Sequence, residues 1–411
     1  MIRFVHTADL HLDRPFEGLT KLPNALYQRT AASTFTAFST LIDTTIHEGA
    51  DFLIIAGDVF DNSHRSIKAQ RYFISEMKRL QVASIPVFLT YGNHDFINKS
   101  WNHLKLPDNV HVFPVSPAMI PLHTASGQCV HLYGFSYKQR WISADMSAQY
   151  TRTGHADFHI AILHGEQSSG ETEGSYAPFT IQGLSEKRFD YWALGHIHKR
   201  QQLAFPLPIW YPGDIQGLSF KESELGQKGA SIVELDENGA HVRFFSTADV
   251  GWNCASLAFS GPITAEALEE SMNQLKEEQR ERHHGAFIRL SFTFTASGLE
   301  RYEAEEMVRE MIEAINEEEM DQPDFIWFIP GNCSFRTVWD KKQIIDSPHF
   351  VGDLFRLIER TENVSLATDL LYQHHSGRRY LAALTQSDLE EIKVESEQLL
   401  AEALLSPETD I

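Results

Sequence analysis

The sequence predicts an α/β protein: a mixed sheet, or two packed sheets, with helices on the outside, then a smaller α+β unit and a helical C-terminal region. Three observations predict it. Across residues 1–250, apolar runs of strand length alternate with longer stretches of helical periodicity. Asn238-Gly239 separates two β-rich runs, a strong hairpin signal. The last 65 or so residues read as helices alone.

The elements follow in order. Ile2–His6 reads as a buried strand, and Tyr27–His47 as a helix with Ala31, Phe35, Phe38, Ile42 and Ile46 on one stripe. Phe52–Ala56 is the next strand, Ile67–Leu80 a helix, and Val87–Thr90 a strand led by Pro86. Short strands fit Val110–Phe113, Val130–Phe135, Phe158–Leu163, Tyr191–Leu194 and Ile209–Tyr211, and the hairpin joins Ala230–Leu235 to His241–Phe245. The second unit, residues 251–345, begins with a strand near Cys254–Phe259 and a helix over Ala265–Glu278. Ile288, Leu290, Phe292 and Phe294 then alternate as a half-buried strand does. A helix striped by Met307, Val308, Met311, Ile312 and Ile315 follows, its Glu-rich face in solvent, and strands at Phe325–Ile329 and Cys333–Trp339 close the unit. In residues 346–411, Phe350–Glu359 is one helix, and a second begins at Ser387 with Glu390 as its capping-box partner.

Charge divides the chain. Residues 1–250 hold 21 Lys and Arg against 25 Asp and Glu, a net of −4, and 15 of the 20 histidines. The remainder carries −17 of the total −21. That acidity argues against a plain DNA-binding module, which needs phosphate-neutralising Lys and Arg. With 42% hydrophobic residues the chain can bury a large core, yet no apolar run approaches a membrane span. No secretory signal is evident at the start, and Cys129, Cys254 and Cys333 suggest neither a disulfide framework nor a zinc finger. The expectation is a cytoplasmic protein.

The chemistry-bearing residues stand where predicted strands end: Asp9-Leu10-His11, Gly57-Asp58-Val59-Phe60-Asp61, Gly92-Asn93-His94-Asp95, His164-Gly165 and Gly195-His196-Ile197-His198. Open α/β sheets present ligands at such carboxyl ends. The residue types suit two metal ions: Asp9, His11 and His198 for one, Asn93, His164 and His196 for the other, and Asp58 between them. Mixed nitrogen and oxygen donors favour Mn²⁺, Fe²⁺ or Zn²⁺ over Ca²⁺. Ions about 3.5–4 Å apart acidify a water and clamp a phosphate through its displacement. Any one piece is weak evidence; five in this order are strong evidence. Elsewhere, Lys68, Arg71, Lys78 and Arg79 share a helix and read as a solvated face. Tyr137, Lys138, Arg140 and Trp141 form a basic-aromatic cluster fit to stack on a nucleic-acid end.

These five segments resemble the complete calcineurin-like metallophosphoesterase signature. Phe4-Val5-His6-Thr7-Ala8-Asp9-Leu10-His11-Leu12 and Tyr211-Pro212-Gly213-Asp214-x-Gln216-Gly217 resemble more narrowly the SbcD/Mre-type DNA repair nucleases, most closely their YhaO-like branch in Gram-positive bacteria. The resemblance implies a two-sheet αββα sandwich over about residues 1–245, a smaller α+β capping domain, and a helical C-terminal tail that docks a partner. It implies the ligand division given above and His94 as the catalytic histidine, with Asp95 or a backbone carbonyl orienting its ring. The implied activity is Mn²⁺-dependent exonuclease and endonuclease cleavage of DNA, usually beside a coiled-coil ABC-type ATPase. Fe²⁺, Zn²⁺ or Mg²⁺ as the metal, and a homodimer, stay open. Asp61 stands where archaeal members often carry histidine, which leaves His64 as the nearby alternative. A smaller phosphoester substrate and a non-catalytic scaffold of an ATPase complex are the competing readings. The scaffold is disfavoured because no ligand is missing.

Overall fold

The structure, a computed structural model, describes the chain apart from residues 13, 15, 17–21, 62–65, 98–103, 169–175, 283, 296–298, 337–340, 361–383 and 406–411. His64 lies outside the described residues. Contacts divide the chain into two units. One comprises Met1–Cys254, Leu275–Arg289 and Ile315–Ile329, and the other Ala255–Gln274, Leu290–Ala314 and Pro330–Ile411.

The first unit contains two six-stranded mixed sheets. In one, β1 (Ile2–Thr7), β2 (Phe52–Ala56), β3 (Val87–Thr90) and β4 (Val110–Val112) run parallel, and the antiparallel hairpin β11 (Gly229–Asp236) and β12 (Gly239–Ser246) extends the β1 edge. In the other, β6 (Cys129–Gly134), β7 (Phe158–His164), β8 (Tyr191–Gly195) and β10 (Ile209–Tyr211) run parallel between the antiparallel edges β5 (Ala118–His123) and β9 (Gln201–Ala204).

Alternation along each strand builds three apolar layers. Phe4, Phe52, Ile54 and Phe88 of one sheet pack with Val130, Leu132, Ile160, Ile162 and Tyr191 of the other, so the sheets face each other. The opposite faces of β1–β3 (Val5, Leu53, Ile55, Val87, Leu89) meet Phe35, Phe38, Leu41 and Ile42 of α1 (Asn24–His47) and Phe73, Met77 and Leu80 of α2 (Ile67–Val82). Leu163, Trp192 and Leu194 on the outer face of the second sheet meet Leu184 of the short helix α3 (Ile181–Glu186) with Tyr150 and Phe189. The layers are therefore helix, sheet, sheet, helix, which resolves the choice between one mixed sheet and two packed sheets.

A three-stranded sheet has the order β13 (Gly251–Ser260), β14 (Ala286–Thr295), β15 (Ile326–Arg336), and its helices are α4 (Ala265–Arg280) and α5 (Arg301–Glu318). The two strands expected at Phe325–Ile329 and Cys333–Trp339 are one strand as far as Arg336, residues 337–339 lying outside the described residues, and its Pro330 is tolerated because β15 is an edge. In the second unit follow α6 (Lys341–Ile345), α7 (Phe350–Arg360) and α8 (Gln386–Leu405). The capping box of α8 is Thr385–Asp388 rather than Ser387–Glu390. Thr385 N donates to Asp388 Oδ2 at 2.6 Å and Asp388 N donates to Thr385 Oγ1 at 3.3 Å. Lys341 pairs with the buried Glu397 of α8 at 2.8 Å. Among the described residues no helix is long and apolar enough to cross a membrane.

Phe52 is fully buried, stacked on Phe4 at 4.8 Å and edge-on to Phe88 at 5.8 Å. Phe52→Ala should cost about 3–5 kcal/mol of stability. Denaturant unfolding of the full chain checks this, and a loss below about 1 kcal/mol would show that the inter-sheet layer is not the core.

Candidate metal centre

Parallel registry places the site. Thr7 pairs with Ile55 and Ala56 with Thr90, so the carboxyl ends of β1, β2 and β3 lie side by side; His164 pairs with Gly195 at the ends of β7 and β8. Just past these ends the chain turns so sharply that four side chains of the cluster sit on left-handed backbone: Asp9 (φ 52°), His11 (φ 42°), Asp58 (φ 52°) and His196 (φ 103°). Each costs about 1–3 kcal/mol and persists only where the surroundings impose it. Here the 9–12 segment is laced to the 57–59 segment. Asp9 N, His11 N and Leu12 N donate to Gly57 O, Asp58 O and Val59 O at 3.0–3.1 Å.

Two groups of ligand atoms result. Asp9, His11 and His198 form the first, with His11 Nε2 and His198 Nε2 only 3.2 Å apart. In the second, Asn93 Oδ1 lies 2.8 Å from His164 Nε2 and 3.2 Å from His196 Nδ1. Asp58 joins them: its Oδ2 is 3.3 Å from His164 Nε2 and 3.9 Å from His11 Nε2, while its Oδ1 accepts from His94 N at 2.9 Å. Gly92 makes room for this, because a Cβ there would fall 2.3 Å from Asp58 Oδ1 and 2.7 Å from His164 Nε2.

Three observations fit a pair of divalent cations. Asp9 Oδ1 is buried without a hydrogen-bond partner, although its Oδ2 accepts from His196 N at 3.0 Å. His164 Nδ1 donates to Ala56 O at 2.9 Å and His198 Nδ1 to Glu224 Oε1 at 2.6 Å, which leaves both Nε2 atoms facing the cluster. The carboxylates also govern the rings. Burial opposes charge on His164 and His198, but Asp58 beside the first, and Glu224, Asp214 and Asp9 around the second, push both up to about 9. Burial and the nearby His164 hold His196 down to about 3, and burial with His198 keeps His11 well below the usual imidazole range. Asp58 lies below the carboxylate range because its histidines outweigh its burial. Carboxylates strong enough to hold protons on two buried imidazoles are strong enough to attract cations.

His94 stands beside this cluster, partly exposed, with its ring 5.1 Å from that of His11. The carboxylate at its Nδ1 is Asp61, at 3.4 Å, with Arg14 3.8 Å from the same oxygen. Burial opposes its protonation, but Asp61 and Asp58 win and raise its pKa. Asp95 is fully buried and has a different task. Its oxygens accept from Val59 N (2.7 Å), Phe60 N (3.3 Å) and Gly92 N (2.6 Å), tying the second motif to the third. Asp95, expected to orient the His94 ring, is thus spent on backbone N–H groups, and the carboxylate beside that ring is Asp61. His6 is buried and bonded to Tyr191 Oη and Leu194 O, both at 3.0 Å.

Sequence reasoning gave no role to Glu224 and Lys228 and marked Asp214 only as part of the Tyr211–Gly217 segment; all three close around His198. It also misplaced Tyr137. That side chain is fully buried and donates to His164 O at 2.9 Å, so it cannot stack on a nucleic acid. Of the predicted basic helix, Arg79 is committed to Asp43 and Glu76, and Lys68 lies over Phe35 at 4.8 Å.

Comparison with known proteins places the chain in a family. Residues 2–200 match the calcineurin-like phosphoesterase family model. The chain is 33% identical over 405 residues, 98% of each sequence, to a Bacillus subtilis protein named uncharacterized metallophosphoesterase YhaO. It is 27% identical over 265 residues to a subunit of the nuclease SbcCD from Staphylococcus epidermidis, covering 58% of this chain and 67% of that one. It is 24% identical over 258 residues to the DNA double-strand break repair protein Mre11 of Methanopyrus kandleri, covering 58% and 55%.

Asp58→Ala should greatly lower occupancy of both positions, because its Oδ2 lies near ligand atoms of both groups, His11 Nε2 and His164 Nε2. Metal analysis of the purified variant checks this; two tightly bound ions per chain would overturn the bridging assignment. Gly92→Ala removes no ligand atom, yet its Cβ should displace Asp58 and His164 and lower metal content in the same assay.

Proposed function

Because the chain belongs to the calcineurin-like metallophosphoesterases, we propose that it is a dinuclear-metal phosphodiesterase that cleaves DNA, with Mn²⁺ as its working metal. The observation that carries this reading is Asp58 standing between two sets of nitrogen and oxygen donors. Asp9, His11 and His198 would hold one ion, Asn93, His164 and His196 the other, and Asp58 both. Such a pair supplies an acidified water and a clamp on the phosphate. His94 touches the reacting phosphate and gives a proton to the leaving oxygen, with Asp61 holding its ring. Asp95 keeps the two loops that carry Asp58 and His94 in register.

DNA as the substrate draws support from the SbcCD and Mre11 relatives and from one surface. Residues 138–141 run between two anchors. Tyr137 accepts from Ile97 N at 2.8 Å, and Ile142 O accepts from Ala177 N at 2.7 Å, next to Tyr176, whose ring lies 4.6 Å from that of His196. Between the anchors Lys138 and Arg140 are exposed, and Trp141 is 57% exposed with the Arg140 guanidinium 5.4 Å from its ring. A charged, stackable platform beside a metal centre suits an unpaired nucleotide. The three-part division at residues 250 and 345 belongs to the same proposal. So does the docking of a coiled-coil ATPase on the helical tail, supported by the exposure of Phe350, Leu357, Val394 and Leu399.

The decisive assay compares labelled duplex DNA, single-stranded DNA and a small phosphodiester with Mn²⁺. Cleavage of the small diester alone would favour the smaller-substrate reading. His94→Ala should keep both ions and lose about 10²–10⁴-fold in turnover. Metal loss as severe as in His196→Ala would make His94 a ligand instead. Trp141→Ala should raise KM for single-stranded DNA by roughly 5- to 100-fold, the worth of one stacked base, and leave the small diester unchanged. Equal effects on both substrates would remove the platform from the argument.

A further inference from the structure

The segment Tyr211–Gly217 and the stretch to Lys228 carry no proposed ligand, yet both close around His198. Gly213 has φ +81° and approaches so closely that a Cβ would fall 2.9 Å from His198 O. Asp214 N donates to that carbonyl at 3.3 Å, and the buried Lys228 ammonium donates to it at 2.9 Å. The backbone of His198 is thereby fixed from two directions.

The ring is fixed by Glu224. This carboxylate is 5% exposed, accepts from His198 Nδ1 at 2.6 Å through Oε1, and accepts from Leu218 N at 2.9 Å through Oε2. Behind it Asp214 is fully buried, with Oδ2 3.7 Å from His198 Nδ1 and Oδ1 2.7 Å from Lys228 Nζ. His198, Asp214 and Glu224 have the spacing of a third metal cluster, but Lys228 already supplies that pocket with a cation. The cluster faces away from catalysis and toward one ligand.

We propose that Glu224 is the positioning residue of the first metal position: held by Leu218 N and backed by the Asp214–Lys228 pair, it fixes the tautomer and rotamer of His198 so that Nε2 faces Asp9 and His11. The inference rests on His198 being a ligand. Two buried acceptor oxygens serving two N–H groups leave Glu224 a single orientation, and His198 inherits it. Glutamine supplies only one acceptor oxygen, so Glu224→Gln must leave either Leu218 N–H or His198 Nδ1–H facing an amide NH₂.

The test is Mn²⁺ titration of the full chain, followed by bound-metal analysis and by the electron paramagnetic resonance signal of the exchange-coupled pair. Wild type should bind two ions. Glu224→Ala should weaken one of them by about 10–100-fold, the usual cost of removing a partner that orients a ligand histidine, and leave the other unchanged. The coupled signal should give way to that of a single ion. Glu224→Gln should fall between the two, which also covers the case in which the alanine variant does not fold. In a His198→Ala background, where one ion is already lost, Glu224→Gln should change nothing further. Equal weakening of both ions, or an effect that persists without His198, would assign Glu224 to the scaffold and overturn the inference. If His198→Ala itself binds two ions, the ligand division fails; if it loses one while Glu224→Gln binds as wild type, only the inference fails.

Discussion

The position of the Asp58 carboxylate is the constraint on which the rest of the site depends. One oxygen is committed to the backbone N–H of the residue that carries the proposed acid, and the other stands between His11 and His164, drawn from different sheets. To reach that place the chain leaves β2, the strand whose faces join both the inter-sheet layer and the outer helical layer, and enters a left-handed turn at once. A freely moving loop would relax such a turn. A fully buried strand, laced on one side to residues 9–12 and on the other to Asp95, does not.

The same logic explains why so many buried carboxyl groups are tolerated. Asp9, Asp58, Asp95 and Asp214 are all essentially excluded from solvent. Each is compensated by a different chemistry: imidazoles for Asp58, backbone N–H groups for Asp95, an ammonium for Asp214, and for Asp9 one backbone N–H with an oxygen left to the cluster. The protein uses the cheapest partner wherever it only needs structure, and keeps the unpaired oxygen where a cation belongs.

Much of this was legible in the sequence. Phe52–Ala56, Val87–Thr90 and Ile209–Tyr211 have the observed strand limits, because continuous apolar runs in buried parallel strands leave little ambiguity. The strands at 118–123 and 201–204 were missed. Both are edges, one interrupted by Pro121 and the other composed of Gln201-Gln202-Leu203-Ala204, and an edge strand need not look apolar. In the site, the residues brought together are those that follow strands with a distinctive dipeptide. Glu224 and Lys228 escaped because their meaning comes from packing against His198, some 26 and 30 positions away, and nothing local marks it. The exchange of roles between Asp61 and Asp95 escaped for a related reason: two aspartates on neighbouring loops are equivalent until side-chain direction is known.

The hairpin of β11 and β12 has a use that its role in closing the sheet does not suggest. β11 runs against β1, and Leu235 lies opposite Ile2, so the tip at Glu237-Asn238 emerges at the end of the sheet where β1 begins. Six residues of strand, roughly 20 Å, separate that end from Asp9 and the metal cluster. A cysteine, a dye or a surface tether introduced at the tip would hold the protein by the face opposite its chemistry, with the mouth of the site turned toward solution. On a molecule anchored in this way, single-molecule observation can ask directly whether a long nucleic acid arrives and leaves.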